Sequence, residues 1–180
     1  MRIFIGIPLP SDVKFYLRET QTEILRYKAK GNFTQLDNFH VTLLFLGEVQ
    51  GSKVNLLCDA LDEKLKDFKT FDFHLDGIGS FAKGVDQIIW VGLKKNIDQM
   101  KKLHQIIKDT VKHIQLPFDD KKFKPHITIA RQVRFDEPSM THQLKMYQPV
   151  ILADKVHIYE SHRINDQLTY TPLYTIKFKK

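Results

Sequence analysis

Residues 40–47 have the sequence HVTLLFLG, an apolar run in which a histidine and a threonine stand two positions apart. Side chains alternate between the two faces of a β-strand, so His40 and Thr42 are predicted to point to the same side. Residues two apart in a strand have Cα atoms about 6.6 Å apart, so both side chains can contact one small group. The segment predicts a strand over residues 39–46 that Gly47 ends.

The same pattern returns in the second half of the chain, where residues 126–131 have the sequence HITIAR. His126 and Thr128 are again predicted to share one face of a strand. Either histidine alone is more often an ordinary structural residue, but two matched pairs in strand-like segments favour a site. If the two strands face each other across a groove, a phosphodiester between them meets an imidazole on each side.

A pair of histidines suits displacement at phosphorus, in which the attacking and leaving oxygens lie on opposite sides. One neutral imidazole accepts the proton of the attacking water, and one protonated imidazole gives its proton to the leaving oxygen. Histidine serves both roles because its unperturbed pKa is about 6.5. The chain has no His-Glu-x-x-His segment and no glycine-rich nucleotide loop, so we predict a reaction without metal or cofactor.

The segments around these two motifs alternate between strand-like and helix-like patterns. A strand is expected at the start of the chain, a helix from Ser11 to about Lys28 that Gly31 and Asn32 end, and further elements in the order strand, helix, strand, strand, helix and three strands. Residues 1–85 and 86–180 each offer a strand, a helix and a His-x-Thr strand. We therefore predict one α+β domain, residues 1–180, with two pseudo-symmetric lobes of mainly antiparallel sheet, flanking helices and a groove between them.

Charge and composition restrict the partners and the compartment. The 28 Lys and Arg residues exceed the 21 Asp and Glu residues and give a net charge of +7, which favours a phosphate-bearing partner. The one cysteine, Cys58, excludes a disulfide within the chain and favours the cytoplasm. Pro8 and Pro10 interrupt the first apolar run, so we expect no membrane association, and we expect a monomer.

The roles of several neighbouring residues stay open at this stage. Arg131 has the fork of donors that binds phosphate, but strict alternation turns it away from Thr128 unless a bulge intervenes. The lysines and aromatic residues near the motifs could bind RNA, although solvated loops and core packing are the commoner explanations; they are Lys121, Lys122, Lys124, Phe45, Phe81, Trp90 and Phe123.

Segments spread over most of the chain resemble the 2H phosphoesterases, and within them the RNA 2′,3′-cyclic phosphodiesterases also called 2′-5′ RNA ligases. The opening strand at residues 1–10 is similar to theirs, and so are the motifs at 40–47 and 125–131, the IWVG strand at 89–92 and the closing segment at 161–173. Residues 166–169, DQLT, differ from the many relatives that have a glycine before the tyrosine, which leaves the rim of the groove and the size of the substrate open.

The resemblance implies the function and the role of each residue. It implies a bilobal fold, hydrolysis of RNA 2′,3′-cyclic phosphate to a 2′-phosphomonoester, and reversible 2′-5′ ligation in some members. By matching position, the resemblance implies that His40 is the proton donor and His126 the proton acceptor. It also implies that Thr42 and Thr128 bind the phosphate and that Arg131 assists them.

Two alternatives remain at the level of the sequence. The basic charge and the aromatic residues also fit a non-catalytic RNA-binding protein. The same two-histidine chemistry could instead act on a small cyclic phosphate that is not RNA. A panel of substrates, assayed in EDTA, separates these possibilities from the RNA enzyme.

Overall fold

A computed structural model describes residues 1–27, 29–134 and 149–180. The elements in these ranges follow the chain as β1 (Arg2–Pro8), α1 (Ser11–Leu25), β2 (Lys30–Phe33), a 3₁₀ turn (Leu36–Asn38), β3 (His40–Glu48), α2 (Gly51–Leu65), β4 (Phe71–Lys83), β5 (Asp86–Lys94), α3 (Ile97–His113), β6 (His126–Arg134), β7 (Ile151–Ala153), β8 (Lys155–Ile164) and β9 (Gln167–Lys177). The expected order of strands and helices is confirmed, except that β2 was not expected and that β7 and β8 stand where one strand was expected. The first helix ends at Leu25, before the expected end near Lys28, and Lys28 itself lies outside the described residues.

The strands form two sheets, and every pairing between the strands named above is antiparallel. One sheet has the order β3-β1-β8-β9, and the other has the order β2-β6-β5-β4-β7. The two His-x-Thr strands therefore lie in different sheets, β3 in the first and β6 in the second. This arrangement confirms the α+β class with mainly antiparallel sheets.

The two sheets do not follow the two halves of the sequence, because each sheet takes strands from residues 1–85 and from residues 86–180. The first sheet joins β1 and β3 to β8 and β9, and the second joins β2 and β4 to β5, β6 and β7. Residue 85 lies in the turn of the β4–β5 hairpin, where Lys83 pairs with Asp86 and Gly84 has a φ of +63°. Strands joined by so short a turn pair with each other, as β4 and β5 do.

Apolar stripes of the helices cover the sheets. Leu57, Leu61 and Leu65 of α2 are fully buried, as are Leu103 and Ile107 of α3. The α2 and α3 helices contact each other, α3 contacts β3, and α1 contacts β6. This packing fixes each His-x-Thr strand against a helix, as the helical spacing of the apolar residues predicted. No helix within the described ranges is long and apolar enough to cross a lipid bilayer.

The short strand β2 was not predicted. Gly31 and Asn32 were expected only to end the preceding helix, whereas Lys30–Phe33 pairs with β6. Its sequence, KGNF, has no alternation of apolar and polar residues, so no local signal marks it as a strand. The strand exists because β6 offers it unpaired backbone groups, which is a property of the assembled sheet.

Candidate active site between two histidine strands

His40 and His126 begin β3 and β6 and are held in the same way. The Nδ1 atom of His40 lies 2.7 Å from the carbonyl oxygen of Asn38, and Nδ1 of His126 lies 2.6 Å from the carbonyl oxygen of Lys124. A carbonyl can only accept a hydrogen bond, so each Nδ1 carries the proton and donates it. In the neutral form of both rings, Nε2 is therefore the basic nitrogen.

Thr42 and Thr128 follow their histidines on the same face of the strand, as predicted. The burial pattern shows this alternation, since His40 and Thr42 are half-buried around the fully buried Val41, and β6 repeats the pattern around Ile127. The Oγ1 atom of Thr42 lies 2.7 Å from Nε2 of His40. Because that nitrogen is unprotonated in the neutral ring, the Thr42 hydroxyl donates this hydrogen bond.

A β-bulge turns Arg131 toward the same side as Thr128. Ile89 pairs with Ala130 and Trp90 with Thr128, so Ile129 is an extra residue on β6. Ile129 and Ala130 are consecutively buried, and the alternation restarts with Arg131 exposed on the opposite side from Ala130. The bulge that Arg131 needs in order to face the same side as Thr128 is therefore present.

The first His-x-Thr strand has the same bulge at the same position. Ile5 pairs with Leu44 and Gly6 with Thr42, so Leu43 is the extra residue on β3. Phe45 then takes the place in β3 that Arg131 takes in β6, five residues after the histidine. Phe45 remains 37% exposed.

The two strands contribute to one cavity of about 280 Å³. Thr42 and Phe45 come from β3, whereas His126, Thr128 and Arg131 come from β6; the other residues around it are Leu43, Leu44, Phe81, Ile88, His104, Asp119, Lys121, Lys122, Phe123 and Lys124. Four of the five predicted site residues therefore meet here, and His40 adjoins the cavity through its hydrogen bond to Thr42. This volume is near the lower end of the range for small-molecule sites.

Burial and nearby positive charge make both imidazoles weak bases. Burial is the largest cause that lowers the pKa of His40 from 6.5 to about 4, and the charges of Arg131 and His126 lower it further, against the Asn38 carbonyl. Burial and then Arg131 also lower the pKa of His126, against the Lys124 carbonyl. Because Arg131 acts on both rings, its guanidinium lies within electrostatic reach of both.

A sequence model of the 2′-5′ RNA ligase superfamily matches residues 17–165 of the chain. The chain belongs to the 2′-5′ RNA ligase superfamily. Among curated relatives, an RNA 2′,3′-cyclic phosphodiesterase of Thermotoga maritima is 27% identical over 182 residues, which covers 99% of this chain and 96% of the relative. A protein of the same name from Thermus thermophilus is 30% identical over 139 residues, which covers 73% of this chain and 69% of the relative.

Solved structures share the fold of this superfamily member. The crystal structure of the Thermus thermophilus protein TT0787 superposes with a TM-score of 0.83 at 23% identity, covering 99% of this chain and 98% of the other. The crystal structure of E. coli LigT complexed with 3′-AMP superposes with a TM-score of 0.81 at 21% identity over the same shares of both chains. At these identities the likeness supports the fold alone.

Aromatic rings surround both imidazoles of this superfamily member. The ring of His40 lies 4.8 Å from the ring of Phe4 and 5.2 Å from that of Tyr170, centroid to centroid. The ring of His126 lies 5.4 Å from that of Phe81 and 6.2 Å from that of Trp90. Phe81 and Trp90 thus lie beside His126. The sequence alone could not distinguish this location from ordinary core packing.

Gly6 allows β1 to approach His40 closely, and its role was not predicted. A Cβ atom at this position would lie 2.8 Å from the carbonyl oxygen of Val41 and 3.1 Å from Cδ2 of His40. An isolated glycine within the apolar strand RIFIGIP was the available signal, because such a glycine often marks a close approach of another group. Any larger residue would displace the imidazole or the strand.

Gln21 and His104 were also not assigned to the site, although both hold its bulges. Gln21 of α1 is 3% exposed, and its side-chain amide donates to the carbonyl oxygens of Ile129 and Thr34, at 2.7 and 2.8 Å. Nδ1 of His104 in α3 donates to the carbonyl oxygen of Leu43 at 2.8 Å. Gln21 stands four residues after the buried Leu17, so a polar residue on the apolar face of the helix was the signal.

The acidic and sulfur-containing residues do not suggest a metal centre. Within residues 1–27, 29–134 and 149–180, no three His, Cys, Asp or Glu side chains are grouped closely enough to hold a metal ion. Cys58 is buried in α2 and does not line the cavity between the two histidine strands. His142, one of the histidines considered in the sequence, lies outside the described residues.

Proposed function

We propose that the protein hydrolyses RNA 2′,3′-cyclic phosphate ends to 2′-phosphomonoesters, with His40 as proton donor and His126 as proton acceptor. One observation carries the proposal: two imidazoles, each fixed through Nδ1 by a backbone carbonyl, adjoin one cavity that also contains Arg131. The names of the relatives from Thermotoga maritima and Thermus thermophilus support the substrate.

His126 is suited to activate water in the resting protein. Its Nδ1 proton is held by the Lys124 carbonyl, and burial and Arg131 keep its pKa below 6.5, so Nε2 is unprotonated at neutral pH. A water molecule between Nε2 and phosphorus can give its proton to this nitrogen as its oxygen attacks. The His126 imidazole then becomes an imidazolium cation.

His40 has to gain a proton before it can act as the donor. In the free protein its pKa is about 4, because it is buried beside Arg131 and His126. A phosphate anion in the cavity supplies a negative charge close to the ring and raises that pKa. The proton then resides on Nε2, since Nδ1 already carries one, and Nε2 is the nitrogen beside Thr42.

The phosphate oxygens have donors on both sides in this proposal. The hydroxyls of Thr42 and Thr128 each supply one hydrogen bond, and the guanidinium of Arg131 can supply two parallel ones. The Thr42 hydroxyl, which donates to neutral His40, turns toward the phosphate once His40 Nε2 is protonated. These three groups stabilise the charge that develops on the phosphate oxygens during the reaction.

The bonds and protons of the reaction balance within the site. The bond between the water oxygen and phosphorus forms, and the bond between phosphorus and the ribose 3′ oxygen breaks. His126 receives the proton of the water, and His40 gives its proton to the 3′ oxygen. If a ribose 5′ hydroxyl takes the place of water, the same steps join two RNA ends through a 2′-5′ linkage.

The test is hydrolysis of a cyclic-ended oligoribonucleotide in EDTA by three histidine variants. His40→Ala and His126→Ala are each expected to lose activity by at least about 10²-fold, since general acid–base groups contribute about 10²–10⁴-fold. His113→Ala is the control, because His113 is exposed at the end of α3, away from the cavity. Full activity in either of the first two variants contradicts the proposal.

We also propose that the protein works as a monomer in the cytoplasm. All the side chains that carry the mechanism come from one chain. The one cysteine is buried, and a single cysteine suits a reducing compartment. Sedimentation of the purified protein tests the oligomeric state, and fractionation of the source cells tests the compartment.

A further inference from the structure

A second cavity of about 530 Å³ adjoins the first one, and the mechanism above does not use it. Arg131 and Ile88 line both cavities, so the two meet beside the guanidinium that is proposed to hold the phosphate. The second cavity lies on the His40 side, because Asn38 and Tyr170, which contact His40, line it. The proposed phosphate site in the first cavity therefore adjoins a second, larger cavity.

Positive charge predominates in the second cavity. Lys83, Arg131 and Arg163 line it together with Asp86 and Asp166. The carboxylate of Asp86 is paired with Arg134 at 2.6 Å, which reduces its repulsion of an anion. Arg163 donates one N–H to the carbonyl oxygen of Asp166 at 2.6 Å, and a guanidinium has four further N–H donors. These groups suit a phosphodiester.

Neutral hydrogen-bonding groups make up much of the remaining wall. The side chains are those of Asn32, Gln35, Gln87, Gln132 and Gln167. An amide both donates and accepts hydrogen bonds, so a row of amides suits the hydroxyls of a ribose and the edges of a base. The cavity volume lies within the range of sites for small ligands of nucleotide size.

Asn38 connects this wall to His40. Its side-chain amide donates to the carbonyl oxygen of Leu168 at 2.7 Å, and its Oδ1 accepts from the backbone N–H of Tyr170 at 3.2 Å. Its own carbonyl oxygen accepts the Nδ1 proton of His40. A ligand that contacts β9 in the second cavity is thus linked by one buried residue to the imidazole of the proposed donor.

We propose that the second cavity binds the phosphodiester and the nucleotide that precede the cyclic end of an RNA chain. Arg163 and Lys83 contact the phosphodiester, and the amides contact the ribose and base. The protein then acts on RNA ends in preference to cyclic mononucleotides. This inference rests on the proposed function, because it says where the rest of the RNA substrate of that reaction binds.

The experiment compares kcat/KM for a 2′,3′-cyclic mononucleotide and for a trinucleotide with the same cyclic end. The wild-type protein is expected to prefer the trinucleotide by about 10-fold, the effect of about 1.4 kcal/mol from one charge-assisted contact. Arg163→Gln and Lys83→Gln are expected to reduce this preference without a comparable loss on the mononucleotide. Lys53→Gln is the control, because Lys53 is an exposed lysine of α2 outside both cavities.

A wild-type protein without preference, or an equal loss on both substrates in Arg163→Gln, overturns the inference. The affinity for a trinucleotide that ends in a 2′-phosphate tests the proposed RNA site independently of the proposed hydrolysis. If no substrate is hydrolysed but Arg163→Gln still weakens this affinity about 10-fold, the proposed function fails and the RNA site stands. The slope of log affinity against log salt is expected to fall by about 0.7 in that variant; an unchanged affinity and slope would contradict the site.

Discussion

The carbonyl groups of Leu43 and Ile129 mark equivalent bulges in β3 and β6, and each accepts a hydrogen bond from a helix. His104 of α3 donates to the first and Gln21 of α1 donates to the second. A bulge removes a residue from the ladder, so its backbone groups need other partners. The two helices supply these partners and thereby fix the direction of Phe45 and Arg131.

Gln21→Ala is expected to lower kcat/KM through Arg131. Loss of the amide leaves the buried carbonyl of Ile129 with one donor fewer, which weakens the bulge that directs the guanidinium. A double-mutant cycle with Arg131→Gln checks this: Gln21→Ala is expected to reduce kcat/KM about 10-fold in the wild type but less than about two-fold in Arg131→Gln. Equal losses in both backgrounds would mean that Gln21 acts independently of Arg131.

Arg131→Lys is expected to lower kcat/KM by about 10–100-fold, nearly as much as Arg131→Gln. A lysine keeps the charge but cannot form two parallel hydrogen bonds to one phosphate, and a charge-assisted hydrogen bond contributes about 1.5–3 kcal/mol. The measurement is steady-state kinetics on a cyclic-ended RNA. Lys53→Arg, on the exposed face of α2, is the control, and near-complete activity in Arg131→Lys would show that only the charge matters.

Substrate binding is expected to take up a proton at pH values above about 4, where free His40 is neutral. The pKa of His40 is about 4 in the free protein, and the phosphate charge raises it, so the complex holds more protons than its parts. His126→Ala, which is expected not to turn the substrate over, allows calorimetry with a 2′,3′-cyclic nucleotide in buffers of different ionisation enthalpy. The uptake is expected to vanish in the His40→Asn/His126→Ala variant; if it persists there, His40 is not the group that is protonated.

The stability of the free protein is expected to decrease as the pH falls from 6.5 to 4. Unfolded His40 binds a proton near pH 6.5, whereas folded His40 binds one near pH 4, so in this window the unfolded state holds more protons. The contribution of His40 is at most about 3 kcal/mol, the full value being present above pH 6.5. Denaturant unfolding of His40→Asn at several pH values checks this, since the variant should lose less stability across the window than the wild type.

Gly6→Ala is expected to lower the free energy of unfolding by about 1–3 kcal/mol and to impair catalysis. The added methyl group would lie 2.8 Å from the Val41 carbonyl oxygen, and the strand or the His40 ring has to move. Gly77→Ala is the matched control, because no atom lies within 4 Å of a Cβ there. Denaturant unfolding and kcat together check the prediction, which is contradicted if both glycine variants behave alike.

The local pattern of the sequence was sufficient for most elements of the fold. The apolar stripes of α2 and α3 and the alternation in β3 and β6 depend on neighbours within one element, so they were predicted correctly. The sequence did not show which strands share a sheet, because β1 pairs with β8 and β4 pairs with β7 across long stretches of chain. β2 was missed for the same reason, since only its partner β6 makes it a strand.

For the candidate site, the sequence by itself determined that His40 and Thr42, and likewise His126 and Thr128, share one face of a strand, because a strand alternates every two residues. Tertiary structure alone decided that Arg131 turns toward them, since strict alternation points it away and a bulge supported by Gln21 reverses that direction. It also decided that Asn38, Lys83, Arg131 and Arg163 meet around one cavity, because these residues lie on separate elements that only the packing of the two sheets brings together.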